Sequence, residues 1–256
     1  MEWMNRFVTV MNVISSRPSD GVGVTEIAID TGLSKGTLYR MLQSMVKHQL
    51  ITQVSNTKKY RLGPLAMVWG SKFILGQDIS GLLSEYCDAL AKQTKLYTYL
   101  CRYEAGQVYC IYTHQPEQGR QKYFVHVGQR MPLHCSASTK AILAFQPACE
   151  VGKLIAQENK HAFTSATIID IQDWWQEVAE VQKTRIAHCI EELEPGVSAI
   201  STPLFGNSDQ AFFSLSLVGN ADYISVNRVE LEKELLNMGN KASDHLKAAS
   251  QLVSVN

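Results

Sequence analysis

The sequence predicts an α+β chain of two domains: a small helical head ending in a β-hairpin, and a larger body of hairpins and helices behind a short connecting helix. Three observations predict it. With 256 residues the chain is long for one core and comfortable for domains of about 60 and about 180 residues. The first 63 residues hold two short helix signals around a glycine-containing turn, then a polar hairpin. Beyond residue 80 paired strand signals lie among amphipathic helices, the pattern of an α+β sheet domain. The expected boundaries are 1–63 for the head, 64–79 for a linker helix and 80–256 for the body.

In the head, Phe7, Val10, Met11 and Ile14 recur at helical spacing over residues 4–14, and Pro18, Asp20, Gly21 and Gly23 then break the chain. Thr25 is placed to cap a short helix, 26–31, which Gly32 ends. Ser34 is placed to cap a longer one running to about Gln49. Two such helices joined by a tight turn make a helix-turn-helix. The second turns Leu38, Met41, Leu42 and Met45 inward. Its other face carries Gly36, Arg40, Gln43 and Lys47, flanked by Lys35 and Tyr39, and holds no acid. A duplex groove lined by phosphates requires such a face, since a carboxylate there would be repelled. Strands over 52–55 and 60–63 bracket Asn56-Thr57-Lys58-Lys59, forming a wing whose Lys58, Lys59 and Arg61 reach phosphates or a minor groove.

Charge supports this reading. The first 63 residues carry eight basic side chains (Arg6, Arg17, Lys35, Arg40, Lys47, Lys58, Lys59, Arg61) against four acids (Glu2, Asp20, Glu26, Asp30), while the whole chain is neutral. An amphipathic helix is most often simply packed, and a Lys-Lys turn simply solvated. Together, however, the capped turn, acid-free face and basic hairpin favour DNA binding. Other classes are disfavoured. No apolar stretch approaches the roughly 20 residues of a bilayer span. The first residues, Met-Glu-Trp-Met-Asn-Arg, lack a signal-peptide pattern, so the cytoplasm is expected. The six cysteines are scattered without a Cys-x-x-Cys pair, so neither a disulfide framework nor a structural metal site is expected, and no cofactor either.

Four segments taken together resemble the IclR family of bacterial transcription regulators. They are 32–42 (Gly-Leu-Ser-Lys-Gly-Thr-Leu-Tyr-Arg-Met-Leu), 60–63 (Tyr-Arg-Leu-Gly), 127–137 (Val-Gly-Gln-Arg-Met-Pro-Leu-His-Cys-Ser-Ala) and 191–200 (Glu-Glu-Leu-Glu-Pro-Gly-Val-Ser-Ala-Ile). They follow the family's order and spacing along essentially the whole chain. Gly36 stands where the family usually has serine, Thr139 where a glycine commonly precedes the lysine, and Cys189 where an acid often falls.

Pro64 opens a helix through Leu65, Met67, Val68, Trp69, Phe73 and Ile74, too apolar for a free linker. It packs on its own domain or forms a dimer interface. The resemblance implies that it and the first helix pair two subunits, and a symmetric dimer suits a palindromic operator in double-stranded DNA. A dimer of dimers is the expected further step. In the body a helix over 82–95 precedes strands near 97–103 and 107–113, with Ala105-Gly106 as their turn, and another strand over 122–127. Helices are expected near 138–146, 150–157 and 173–186, then strands 197–205 and 211–218 around Gly206-Asn207-Ser208-Asp209, and a last helix over 226–252. The resemblance implies a GAF-like sensor fold for this body.

Ser136-Ala137-Ser138 opens a helix, whose free N–H groups and dipole suit a carboxylate. Ser214 and Ser216 alternate with leucines on an apolar strand and so share one sheet face. Tyr123, Met131 and Leu133 are candidate apolar walls. The resemblance carries Met131, Ala137, Ser138, Cys189, Ala199, Ser214 and Ser216 over as effector-pocket positions. It also implies repression as the commoner mode and a small organic acid as effector, with 128–137 most like members that govern sugar-acid catabolism. On the head, Lys35, Thr37, Tyr39 and Arg40 are the expected base contacts within a surface that also includes Ser34 and Gly36. Gln43 and Lys47 would touch the groove edges, and the wing the backbone.

The rival reading is a thiol enzyme using Cys135, with His134, His126 or Glu191 as partner. Adjacent side chains on an extended segment point to opposite faces, so His134 is poorly placed to activate Cys135. No phosphate loop, nucleophile elbow or metal helix accompanies it. No catalytic or metal residue is therefore expected.

Overall fold

The computed structural model describes residues 2–17, 20–75, 78–116 and 125–253. They fall into two compact units, Met1–Gln77 and Asp78–Asn256.

The first unit comprises α1 (Glu2–Ser15), α2 (Val24–Thr31), α3 (Lys35–Lys47), the strands β1 (Ile51–Gln53) and β2 (Tyr60–Leu62), and α4 (Pro64–Leu75). Val10, Ile14, Ile27, Leu38, Leu42, Met45, Ile51 and Tyr60 form its core. Helix α2 starts earlier than its sequence suggests. Gly23, not Thr25, is the N-cap, and Glu26 reaches back so that its Oε2 accepts the Gly23 N–H at 2.7 Å. The reciprocal carboxylate outcompetes a threonine hydroxyl for the cap. Gly32 closes α2 at φ 68°, a left-handed conformation that costs a side chain dearly, and the chain re-enters helix at Ser34. The wing pairs Ile51 with Leu62 and Gln53 with Tyr60.

The wing is fastened to α4 through Gly63, whose N–H donates to Leu50 O at 2.8 Å. A Cβ at residue 63 would lie 2.2 Å from the Gln49 carbonyl oxygen, a backbone atom that cannot swing aside. Gly63→Ala is therefore expected to destabilise this unit by about 1–3 kcal/mol through overpacking. Urea unfolding followed by circular dichroism checks it, and an unchanged midpoint would contradict the contact.

The second unit opens with α5 (Asp78–Thr94), β3 (Tyr97–Glu104), β4 (Gln107–His114), β5 (Arg130–Met131), α6 (Ala137–Leu143), α7 (Ala148–Gln157) and α8 (Ile171–Thr184). It continues with β6 (Ala187–Ile190), β7 (Val197–Phe205), β8 (Ala211–Asn220), α9 (Ala221–Val226) and α10 (Arg228–Val253). The strands form one antiparallel sheet in the order β5-β4-β3-β8-β7-β6. Strand alternation sends Leu100, Ile200, Leu215 and Leu217 into a core shared with α5, α9 and α10. Tyr99, Cys101, Cys189, Ala199 and Val218 face the other way, into a core with α6, α7 and α8. The result is an antiparallel sheet with a helical layer on each face.

The strand expected over 122–127 is not found where it can be checked. Residues 117–124 lie outside the described set, and 125–127 are irregular, with Val125 O accepting the Tyr97 hydroxyl at 2.6 Å. Two short strands had no sequence signal of their own. β5 is only two residues, and β6 follows α8 after Arg185 turns left-handed at φ 58°. The terminal helix is broken at Asn227, which separates α9 from α10.

Candidate nucleic-acid interface and ligand cavity

Helix α3 is fixed at its start by Ser34, whose Oγ accepts the Thr37 N–H at 3.3 Å and lies 3.0 Å from the Thr37 hydroxyl. Leu38, Leu42 and Met45 anchor one face in the core. The opposite face leaves Lys35, Gly36, Tyr39, Arg40, Gln43 and Lys47 exposed, with Thr37 half-buried at the rim. No acid interrupts it. The wing tip adds exposed Lys58 and Arg61 and half-buried Lys59. Sequence-predicted positions of the head thus gather on a rigid helix start and an adjoining basic hairpin.

In the body, a cavity of about 290 Å³ opens between the sheet and the α6 side. Of the positions expected at an effector pocket, Met131, Ala137, Cys189 and Ala199 line it. The other candidates lie elsewhere. Leu133, Ser138, Ser214 and Ser216 are buried without lining it, and Tyr123 lies outside the described residues. Ser216 Oγ meets Ser201 Oγ at 2.7 Å, Ser138 Oγ meets Ser136 Oγ at 2.8 Å, and Ser214 Oγ has no hydrogen-bond partner.

Sequence reasoning missed several lining groups. Gln129, Arg130, Phe163, Leu193, Glu194 and Ser198 all border the cavity. Most of them sit inside the two body motifs already singled out, and Gln129-Arg130 directly precedes Met131, which was a usable signal. Arg130 is the cavity's cation, half-exposed and paired to Glu158 at 3.1 Å, so its guanidinium keeps donors to spare. Burial pushes the Cys189 thiol up to about 12, so that side chain adds no charge to the wall. Thr139 ties α6 to the preceding loop, its hydroxyl donating to Ser136 O at 2.7 Å and Pro132 O at 3.0 Å.

Behind α6 sits a buried ion pair. Lys140 is fully buried, and its Nζ donates to Glu192 Oε1 at 2.6 Å and His188 O at 3.1 Å. Burial raises the Glu192 carboxyl while the Lys140 charge opposes the rise.

Cys135 is unsuited to nucleophilic work. It is fully buried, and burial drives its thiol far above the neutral range. His134 instead spends Nε2 on His161 O at 3.0 Å.

The model of the bacterial transcriptional regulator IclR C-terminal domain matches residues 72–245, and that of the IclR helix-turn-helix domain matches 5–55. The chain belongs to the IclR family of bacterial transcriptional regulators. As an IclR-family member it is a DNA-binding regulator. It is 26% identical over 215 residues to the DNA-binding transcriptional repressor YiaJ of Escherichia coli K12, covering 83% of this chain and 76% of that one. Among solved structures, the IclR transcriptional regulator from Alicyclobacillus acidocaldarius superposes with a TM-score of 0.80 at 22% identity, covering 94% of this chain and 98% of the other. An IclR homologue from Microbacterium hydrocarbonoxydans, complexed with 4-hydroxybenzoate, gives 0.78 at 17% identity, covering 96% and 99%. Both likenesses are of fold.

Proposed function

We propose that this regulator is a cytoplasmic repressor of a catabolic operon, binding a palindromic operator as a homodimer or dimer of dimers and answering to a small organic acid, of the sugar-acid or keto-acid class. The observation that carries the reading is the mostly apolar cavity of about 290 Å³, with the Arg130 guanidinium at its wall and an uncharged thiol at Cys189. Arg130 suits the carboxylate. Gln129, Ser136, Glu194 and Ser198 supply hydrogen-bonding groups for hydroxyl or keto oxygens, and Met131, Phe163, Leu193 and Val218 enclose the carbon skeleton. The start of α6 adds a weak dipole, since that helix has only seven residues.

Pairing of subunits is supported by the apolar side chains that α1 and α4 leave exposed: Trp3, Met4 and Val8 on the first, Met67 and Trp69 on the second. Lys35, Thr37, Tyr39 and Arg40 are the proposed base contacts, Gln43 and Lys47 the groove-edge contacts, and Lys58, Lys59 and Arg61 the backbone contacts. Ser34 and Gly36 lie within the same surface.

Thermal-shift screening against sugar acids, keto acids and aromatic acids tests the effector. A cognate acid at about 100 times its Kd stabilises the native state by roughly 2.7 kcal/mol, which raises Tm by several degrees. Arg130→Ala is expected to abolish that rise. A panel in which neutral sugars stabilise and acids do not would refute the acid reading.

A further inference from the structure

We propose that the body carries a second ligand site, for a small alkylammonium ion, in a cavity of about 330 Å³ between α8, the edge strand β6 and the start of α10. Its carboxylates are Glu177, Glu180, Glu192 and Glu232, and its apolar wall is Ile168, Val181, Ile186 and Ile190. None of these borders the first cavity.

The charges around this cavity do not close. Glu232 is met by Arg228 at 2.6 Å and by His188 at 2.7 Å. Glu180 meets Lys183 at 3.2 Å on the exposed rim. Lys140 alone serves two carboxylates, Glu192 at 2.6 Å and Glu177 at 3.5 Å. His188 adds no charge at neutral pH, because burial lowers its pKa against the opposing hydrogen bond of Glu232. Among the described residues three cations, Lys140, Lys183 and Arg228, thus face four carboxyl groups.

An independent observation places that shortfall. The Glu192 side chain is only 6% exposed, yet its Oε2 has no hydrogen-bond partner. The backbone of Ile168 also favours the ionised carboxyl, and Lys140 holds its Oε1. A buried carboxylate oxygen without a donor is costly, and an ammonium group supplies the charge and the donor at once. Among the described residues no group of three or more His, Cys, Asp or Glu is placed to hold a metal ion. The isoleucine-rich wall instead suits an aliphatic body of about four carbons on the cation.

The placement has a regulatory consequence. Along β6 and its following loop, His188, Ile190 and Glu192 line this cavity, whereas Cys189, Leu193 and Glu194 line the other. One strand and its loop form the wall between them, so a guest in one cavity biases the other. That coupling rests on the effector reading above; the site itself does not.

The test uses the full-length protein and n-butylammonium chloride, with n-butanol and sodium butyrate as matched neutral and anionic probes, in saturation-transfer NMR titrations. n-Butylammonium is expected to saturate with a Kd on the order of 1 mM, at least tenfold tighter than n-butanol, with no saturation by butyrate. Glu177→Gln/Glu180→Gln, both on the solvent side of α8, is expected to weaken it at least tenfold, with circular dichroism showing the native fold retained. Equal binding of butanol, no saturation by n-butylammonium, or full binding by the double variant overturns the site. For the coupling, n-butylammonium is expected to change the Kd of the acid found by thermal shift, and an unchanged Kd overturns the coupling alone. Failure of the acid panel bears on the effector reading and leaves the n-butylammonium titration decisive for the site.

Discussion

Lys140→Met is expected to destabilise the second unit by about 3–5 kcal/mol, the cost typical of removing one partner from a buried ion pair. Lys140 has no exposed surface, and Glu192 beside it is 4% exposed. Methionine keeps most of the aliphatic volume, so the loss reports the stranded carboxylate rather than a void. Lys140→Met/Glu192→Met is expected to recover most of that loss, because the charge needing a counter-ion is then gone. Urea titrations of the two variants, read as the midpoint of the body's transition, separate the terms. The single variant should also regain stability as pH falls. Without Lys140 the buried Glu192 carboxyl rises further above its ordinary value, so the folded chain takes up a proton that the unfolded chain does not yet hold. The penalty is largest above the raised carboxyl pKa and is lost as pH falls through it towards the ordinary carboxylate value. Equal stability of Lys140→Met and the native protein at pH 7 would show that solvent reaches the pair.

That ion pair also marks the limit of what a sequence discloses. Local signals were legible because local physics sets them: Ser34 caps α3, Gly32 turns left-handed, and Ala105-Gly106 reverses the chain between β3 and β4. Where two local solutions compete, the reading went astray, as at Gly23 and Thr25, where the reach of Glu26 decides. β6 was missed because four residues directly after a helix carry too short an alternation to register. The Lys140–Glu192 contact spans 52 residues of sequence and depends on how β6 is laid against α6. Its only trace in the chain is a lone lysine inside an apolar helical run, Ala137 to Phe145. The cavity was half legible. Strand parity placed Ser214 and Ser216 on one sheet face, but parity cannot say whether a residue borders a cavity, and both are fully buried outside its lining. Arg130 and Glu194 line it from loops and short strands, where no periodicity points.

Lys35→Ala/Arg40→Ala is expected to weaken operator binding by about 2–4 kcal/mol, roughly 30- to 1000-fold in Kd. Arg40 is exposed near the start of a helix whose other face is held by Leu38, Leu42 and Met45, so its guanidinium is offered to a groove from a rigid base. A side chain that reads a base is worth about 1–3 kcal/mol, and two neighbours on one helix add incompletely. Among the described residues neither side chain forms an ion pair, so alanine there should leave folding intact, and an unchanged Tm is part of the expectation. The wing should behave differently. Lys58→Ala/Lys59→Ala removes contacts that carry no sequence information, so it should weaken operator and random DNA alike. It should also flatten the plot of log K against log salt by about two units. The two double variants therefore separate reading from gripping: loss of specificity at constant salt slope for α3, loss of slope at constant specificity for the wing. If the α3 variant lost slope and kept specificity, the base contacts would have to come from elsewhere on the head, and the acid-free face of α3 would be a phosphate clamp.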